Sequence, residues 1–247
     1  MISYAAIIIA VGAFLGGFVS GLAGFGTGLV ALGIWLHATP PAVAASLVIV
    51  CSVVSQSQTI PAIWHAIDFR HLWPMLITGV LGVPIGMSLL DRVDPNSFRR
   101  GTGILLVLFS ATMLIGRAPV AMRWGGRGAD AVIGFGGGIL GGLAGLSGPL
   151  PTMWATLRGW SKDQRRGVFQ AYNLIVLSTA LVAHVAEGLM TSQVNWLLLW
   201  ALPGTVSGSW LGVRAYRRLS DQRFHQLVLC LLAISGVTLI WPTIAGR

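Results

Sequence analysis

The sequence predicts an all-α integral membrane protein, a polytopic helical bundle of two homologous, inverted repeats with broken or re-entrant glycine-rich segments. Three observations predict it: charge is sparse, apolar stretches are long, and one glycine-rich string occurs twice. Of 247 residues, 55% are hydrophobic and 9% charged, and the mean hydropathy is +0.79. A soluble domain carries about 25% charged residues, so this chain lacks the groups to cover a water-facing surface. The net charge of +9 does not point to nucleic acid, because the sequence lacks the polarity such binding needs.

Eight apolar stretches can be marked, at about 2–36, 41–64, 72–90, 101–116, 130–157, 167–187, 194–213 and 224–241. A helical span takes about 20 apolar residues. Eight of them leave only short loops and no room for a soluble catalytic domain. The start, Met1 to Tyr4, carries no basic residue, so the first stretch reads as a retained membrane segment rather than a cleaved signal. Cys51 and Cys230 lie inside apolar stretches and read as small buried hydrophobes, not as a disulfide framework. Tryptophans 35, 64, 73, 196, 210 and 241 sit near segment ends, as in interfacial belts.

The acidic residues Asp68, Asp91, Asp94, Asp130, Asp163, Glu187 and Asp221 all fall in or beside the gaps between stretches. Ionisable groups inside a membrane are expensive and usually mark cation or proton pathways. Their absence from segment centres leans the reading toward an anion or a neutral solute.

Residues 16–28 read GGFVSGLAGFGTG and residues 137–149 read GGILGGLAGLSGP, an offset of 121. GVPIGMSLLDRVDPNSF (82–98) aligns with GSWLGVRAYRRLSDQRF (208–224) at offset 126, and Asp68-Phe69 aligns with Asn195-Trp196. Three anchors in one order predict a duplication, with a first repeat over 1–120 and a second over 121–247. The GxxxG pairs 82/86 and 208/212 put two glycines on one helix face for close packing.

The first anchor has a different meaning. Strings so rich in glycine, the second ending in proline, do not make comfortable unbroken helices. Irregular backbone at membrane depth survives only where protein or a water-filled cavity satisfies it. A break also exposes a helix N-terminus, whose N–H groups and dipole favour anions. The candidate substrate-binding residues are therefore Gly24, Gly26 and Thr27 in one string and Gly145, Ser147 and Gly148 in the other. Polar side chains on the following helices join them: Ser46, Gln56, Gln170, Tyr172 and Asn173. Hydroxyl and amide donors suit an oxyanion. Arg165 and Arg166 are candidates for an electrostatic funnel, and His184 with Glu187, one turn apart, for a proton-linked gate.

These strings, the polar helix after each, and the D/N-aromatic plus GxxxG elements (68–86 and 195–212) resemble the sulfite exporter TauE/SafE family of membrane transporters. The resemblance covers nearly the whole chain. It implies transport of sulfite, a sulfonate such as sulfoacetate, or a related organosulfur anion. It selects no one substrate. The polar runs Ser55-Gln56-Ser57-Gln58-Thr59 and Gln170-Ala171-Tyr172-Asn173 depart from the apolar pattern around them.

Positive-inside counting gives 11 basic residues inside and five outside for eight single crossings. If the first segment of each repeat dips in and returns, the count is 12 and four, and the repeats invert. The length of stretch 2–36 and the paired breaks favour the re-entrant version. Loops 158–166 and 214–223 are cytoplasmic in both.

The expected function is a secondary permease for a small anion in the cell inner (plasma) membrane, with lipid around it and no cofactor. Protons are a candidate coupling ion and a homodimer a candidate assembly. A passive anion channel of the same architecture is one alternative. The other is a rhomboid-like intramembrane serine protease, since Gly145-Leu146-Ser147-Gly148 is a GxSG string. The aligned Gly24-Phe25-Gly26-Thr27 has no serine at that position, which makes the string architectural.

Overall fold

A computed structural model describes residues 4–62, 67–90, 92–115 and 125–216, with six further positions between 229 and 240. Cys230, Trp64, Trp241, Asp91 and Asp221 lie outside the described residues. Among the described residues every regular element is helical. Four helices are long and apolar enough to cross a membrane: α1 (Tyr4–Ala23), α3 (Pro41–Thr59), α4 (Phe69–Leu90) and Gln164–Ala186 within α8 (Lys162–Ala186). The others are α2 (Thr27–Trp35), α5 (Pro95–Ile115), α6 (Gly126–Ala144), α7 (Pro149–Leu157) and α9 (Ser192–Tyr216). Large apolar side chains such as Ile77, Leu81, Val182 and Leu199 face outward, more than half exposed, as lipid-facing positions should.

Each glycine string ends one helix and starts a short one. Gly24 and Gly26 take positive φ (82° and 109°) between α1 and α2, and Gly145 does the same (68°) after α6. A side chain is strained there, which is why glycine recurs. Leu146 N–H reaches back to the Leu140 carbonyl (3.1 Å), a Schellman-type closure. The short helix then folds back along the long one. Gly16 lies against Thr27 and Ala31, and the Trp35 indole donates to the Ile9 carbonyl (3.2 Å). In the same way Gly137 of α6 lies against Ser147 and Pro151 of the second turn and short helix. The stretches 2–36 and 130–157 are therefore helical hairpins.

Long helices pack through glycine on backbone. A Cβ at Gly17 or Gly21 of α1 would come within 3.0 Å of Thr205 or Ser209 backbone on α9. A Cβ at Gly138 or Gly142 of α6 would meet Gly79 or Val83 backbone on α4 in the same way. In return, Gly208 and Gly212 sit on Phe14 and Phe18, while Gly82 and Gly86 sit on Phe135 and Ile139. Each α1–α9 pair maps onto an α6–α4 pair by the offsets 121 and 126 seen in the sequence. Helix α1 is thus locked to the late helix α9, and α6 to the early helix α4.

Helices α3 and α8 cross between these two pairs and run antiparallel. Ser46 meets His184 at one end, and Thr59 meets Gln170 at the other. Buried hydroxyls join α3 to both partners of the first pair: Ser55 bonds Ser20 of α1 and Ser209 of α9, each at 2.8 Å. Without a hydrophobic drive between helices in lipid, such small-residue contacts and hydrogen bonds carry association.

Two sequence expectations are corrected here. Asp130 is not a loop-side residue but is fully buried in the second turn of α6. Hydropathy begins the apolar stretch at residue 130, whereas the helix starts at Gly126 and turns Asp130 inward against α4 and α7. Trp35 is fully buried rather than interfacial, because its indole N–H closes the α1–α2 hairpin. Trp73, Trp196 and Trp210 are about half exposed.

Candidate functional site

The two breaks face each other. Phe25 lies over Gly148, and Gly28 approaches the Gly145 carbonyl. Between them is a cavity of about 20 Å³, walled by Phe25–Leu29, Gly145–Pro149, Ser52 and Gln56 of α3, and Asn173 and Leu177 of α8. That volume holds about one water.

Seven of the sequence candidates meet here: Gly26, Thr27, Gln56, Gly145, Ser147, Gly148 and Asn173. The first turn of α2 (Thr27, Gly28, Leu29) precedes its first intrahelical bond, from Val30 N–H to the Gly26 carbonyl (3.1 Å). Those amides and the helix dipole put partial positive charge at the cavity wall. The N-terminus of α7 is poorer in donors, because Pro149 and Pro151 have no N–H.

The polar side chains divide into satisfied and unsatisfied groups. Ser147 Oγ donates to Asn173 Oδ1 (2.8 Å), which leaves Asn173 Nδ2 facing Gly148. Gln56 Nε2 donates to the Gly24 carbonyl (3.1 Å). Thr27 Oγ1 and Gln56 Oε1, in side chains 1% and 2% exposed, have no partner. An unpaired buried polar atom costs about 1–3 kcal/mol, and both of these residues border the cavity.

The remaining candidates lie outside the cavity wall. Gly24 is one step behind it, through its bond from Gln56. Gln170 sits beside Gly24 and donates to Thr59 Oγ1 (2.8 Å). Arg166, 8% exposed, reaches past Gly24 to donate to the Gly21 carbonyl (3.3 Å), a positive charge at the C-terminus of α1. Arg165 is partly buried in the first turn of α8. Tyr172 hydroxyl donates to the Gly134 carbonyl (2.6 Å) where α8 crosses α6. Ser46 Oγ lies 3.0 Å from His184 Nδ1, deep between α3 and α8. Glu187, the C-cap of α8, is exposed.

Sequence reading missed Ser52 and Phe25. Ser52 stands four residues before Gln56 and so shares its helix face, a signal that was available. Phe25 packs edge-on against Phe109 of α5 (centroids 6.2 Å apart) and closes one side of the cavity. Its role depends on where the break turns, which sequence does not show.

Comparison with known proteins meets this geometry. A family model described as sulfite exporter TauE/SafE matches residues 8–239. The chain belongs to the TauE/SafE family. A probable sulfite/organosulfonate exporter TauE of Cupriavidus necator is 26% identical over 233 residues, covering 90% of this chain and 89% of that protein. No solved structure matches. This TauE/SafE protein is a membrane transport protein built of helices.

Proposed function

We propose that this TauE/SafE protein is a secondary carrier for a small sulfur oxyanion, sulfite or a sulfonate, bound between the two breaks. The cavity carries the reading: the first turn of α2, Thr27 with its unpaired hydroxyl and Gln56 with its unpaired carbonyl oxygen all line it. Thr27 can donate to an anion, whereas Gln56 Oε1 can only accept. That mixture suits an oxyanion that keeps one hydroxyl, such as hydrogensulfite, or one that holds a bridging water. The family match and the exporter relative support the substrate class.

The reading includes two inverted repeats, 1–120 and 121–247, in a multi-pass protein of the inner membrane. The recurrence of glycine contacts at fixed offsets supports it, as does the antiparallel crossing of α3 and α8. The repeats cannot rock as sequence halves, because α1 is locked to α9 and α4 to α6. The moving bodies in this reading are α1–α2–α3–α9 and α4–α6–α7–α8, which part along the cavity.

A carrier is preferred to a channel because the space between the two breaks, about 20 Å³, is too narrow for an open conduction path. A protease reading is disfavoured because Ser147 bonds an amide oxygen, which is no general base. Proteoliposome flux tests the proposal. Saturable sulfite counterflow is expected, while a non-saturating conductance would indicate a channel.

A further inference from the structure

The buried carboxylate that sequence reading missed stands apart from the anion cavity. Asp130 of α6 is fully buried and has two ring nitrogens within hydrogen-bond distance. The Trp154 indole of α7 donates to Oδ1 at 2.7 Å. His71 Nδ1 of α4 lies 3.2 Å from Oδ2. An ionised carboxylate only accepts, so Nδ1 carries the hydrogen. With His71 neutral, the group bears one negative charge where water cannot screen it, which is costly. A proton added at His71 Nε2 makes an ion pair of net charge zero. The His71 side chain is 22% exposed. The Trp160 ring lies 4.5 Å from the imidazole.

Among the described residues no other charged side chain bonds Asp130. Just before α4, Asp68 accepts from Gln164 of α8 (2.8 Å) and from the Arg70 N–H, and the Arg70 side chain is exposed. On α6, Arg127 is exposed. On α7, the Arg158 guanidinium sits over the Trp154 ring at 5.6 Å. On α8, Arg165 is partly buried and Arg166 points to Gly21.

The fold itself does not need a charge at this place. The offset of 121 puts Asp130 at the position of Ile9 in α1, and the 68/195 anchor puts His71 at that of Leu198. There the hairpin is closed by the Trp35 indole on the Ile9 backbone carbonyl, among apolar neighbours. In the second hairpin the indole binds a carboxylate side chain instead.

We infer that Asp130 and His71 form a proton-binding site that clamps the α6–α7 hairpin to α4 and couples a proton to its movement. The turn of that hairpin, Gly145–Pro149, is one wall of the anion cavity. The inference rests on the carrier reading for its coupling, though not for the proton site itself.

The test uses the full chain in proteoliposomes with sulfite and a pH gradient. Coupling of one proton per anion sets about a tenfold sulfite ratio per pH unit. His71→Gln keeps a donor to Asp130 and removes the titration, so the gradient should lose its effect while exchange at equal pH persists. Asp130→Asn should behave alike, and if either variant fails to fold the other decides. Undiminished pH-driven flux in the variants, or wild-type exchange indifferent to the gradient, overturns the inference. Nitrogen NMR of labelled histidine in nanodiscs separates this from the anion reading. His71 should be the Nδ1–H tautomer at high pH and doubly protonated at low pH. If sulfite is not transported but this conversion occurs, the anion reading fails and the proton site stands. An Nε2–H tautomer throughout, or no conversion on acidification, overturns the site.

Discussion

Gln56 ties α3 to the first break, its Nε2 donating 3.1 Å to the Gly24 carbonyl while its Oε1 is buried without a partner in a residue that lines the cavity. One side chain thus fixes the turn and supplies a ligand group. Gln56→Leu should remove both functions, and Gln56→Glu should add a repulsive charge. A hydrogen bond to a charged group is worth about 1.5–3 kcal/mol. Sulfite affinity should therefore fall by at least about tenfold in both variants. Calorimetric titration of the purified protein checks this, and unchanged affinity in Gln56→Glu would remove Gln56 from the site.

Thr27 tests the hydroxyl separately from shape. Thr27→Val keeps the volume and the α2 helix but deletes the donor, while Thr27→Ser keeps the donor. Valine should weaken sulfite binding by about fivefold, near 1 kcal/mol, and serine should retain most of it. Equal losses would mean that packing, not the hydroxyl, matters at this position.

The glycine contacts predict where an added methyl is tolerated. Gly82→Ala and Gly208→Ala force a Cβ into the backbone of the facing helix. Overpacking of this kind costs about 1–3 kcal/mol, and thermal melting in detergent should show it. Gly101 and Gly128, with nothing near a built Cβ, serve as controls. Alanine there should be neutral or stabilising, since glycine inside a helix costs about 1 kcal/mol relative to alanine.

Asp94 gives a pH-dependent prediction at the start of α5. Its Oδ1 accepts from the Asn96 and Ser97 N–H groups, each at 3.0 Å. Bonds from the Ser97 side chain and then its backbone hold the carboxyl below its ordinary value of 3.8. A depressed carboxylate stabilises above its unfolded value and loses that contribution as pH falls through the folded one. Asp94→Ala should melt earlier than wild type at neutral pH, and the gap should close in acid below 3.8. A gap that stays constant with pH would mean that the cap is not ionic.

Much of the fold was legible because glycine leaves strong marks. The strings at 16–28 and 137–149 announced both breaks, and the 82/86 and 208/212 pairs announced the close crossings. Thr27, Gln56, Ser147 and Asn173 were legible as polar residues in apolar surroundings. Partner choice was not legible. Tyr172 and Ser46 look the same in sequence as Asn173, yet one caps a carbonyl of α6 and the other meets His184. Asp130 was hidden because hydropathy locates segment edges, not the direction in which an edge residue points.

Equilibrium binding of radiolabelled sulfite, with sulfoacetate and simple carboxylates as competitors, tests the central claim most directly when wild type is compared with Thr27→Val plus Gln56→Leu. The account predicts saturable binding displaced by the sulfonate, not by carboxylates, and lost in the double variant. Displacement by carboxylates alone, or full binding in the double variant, would contradict it.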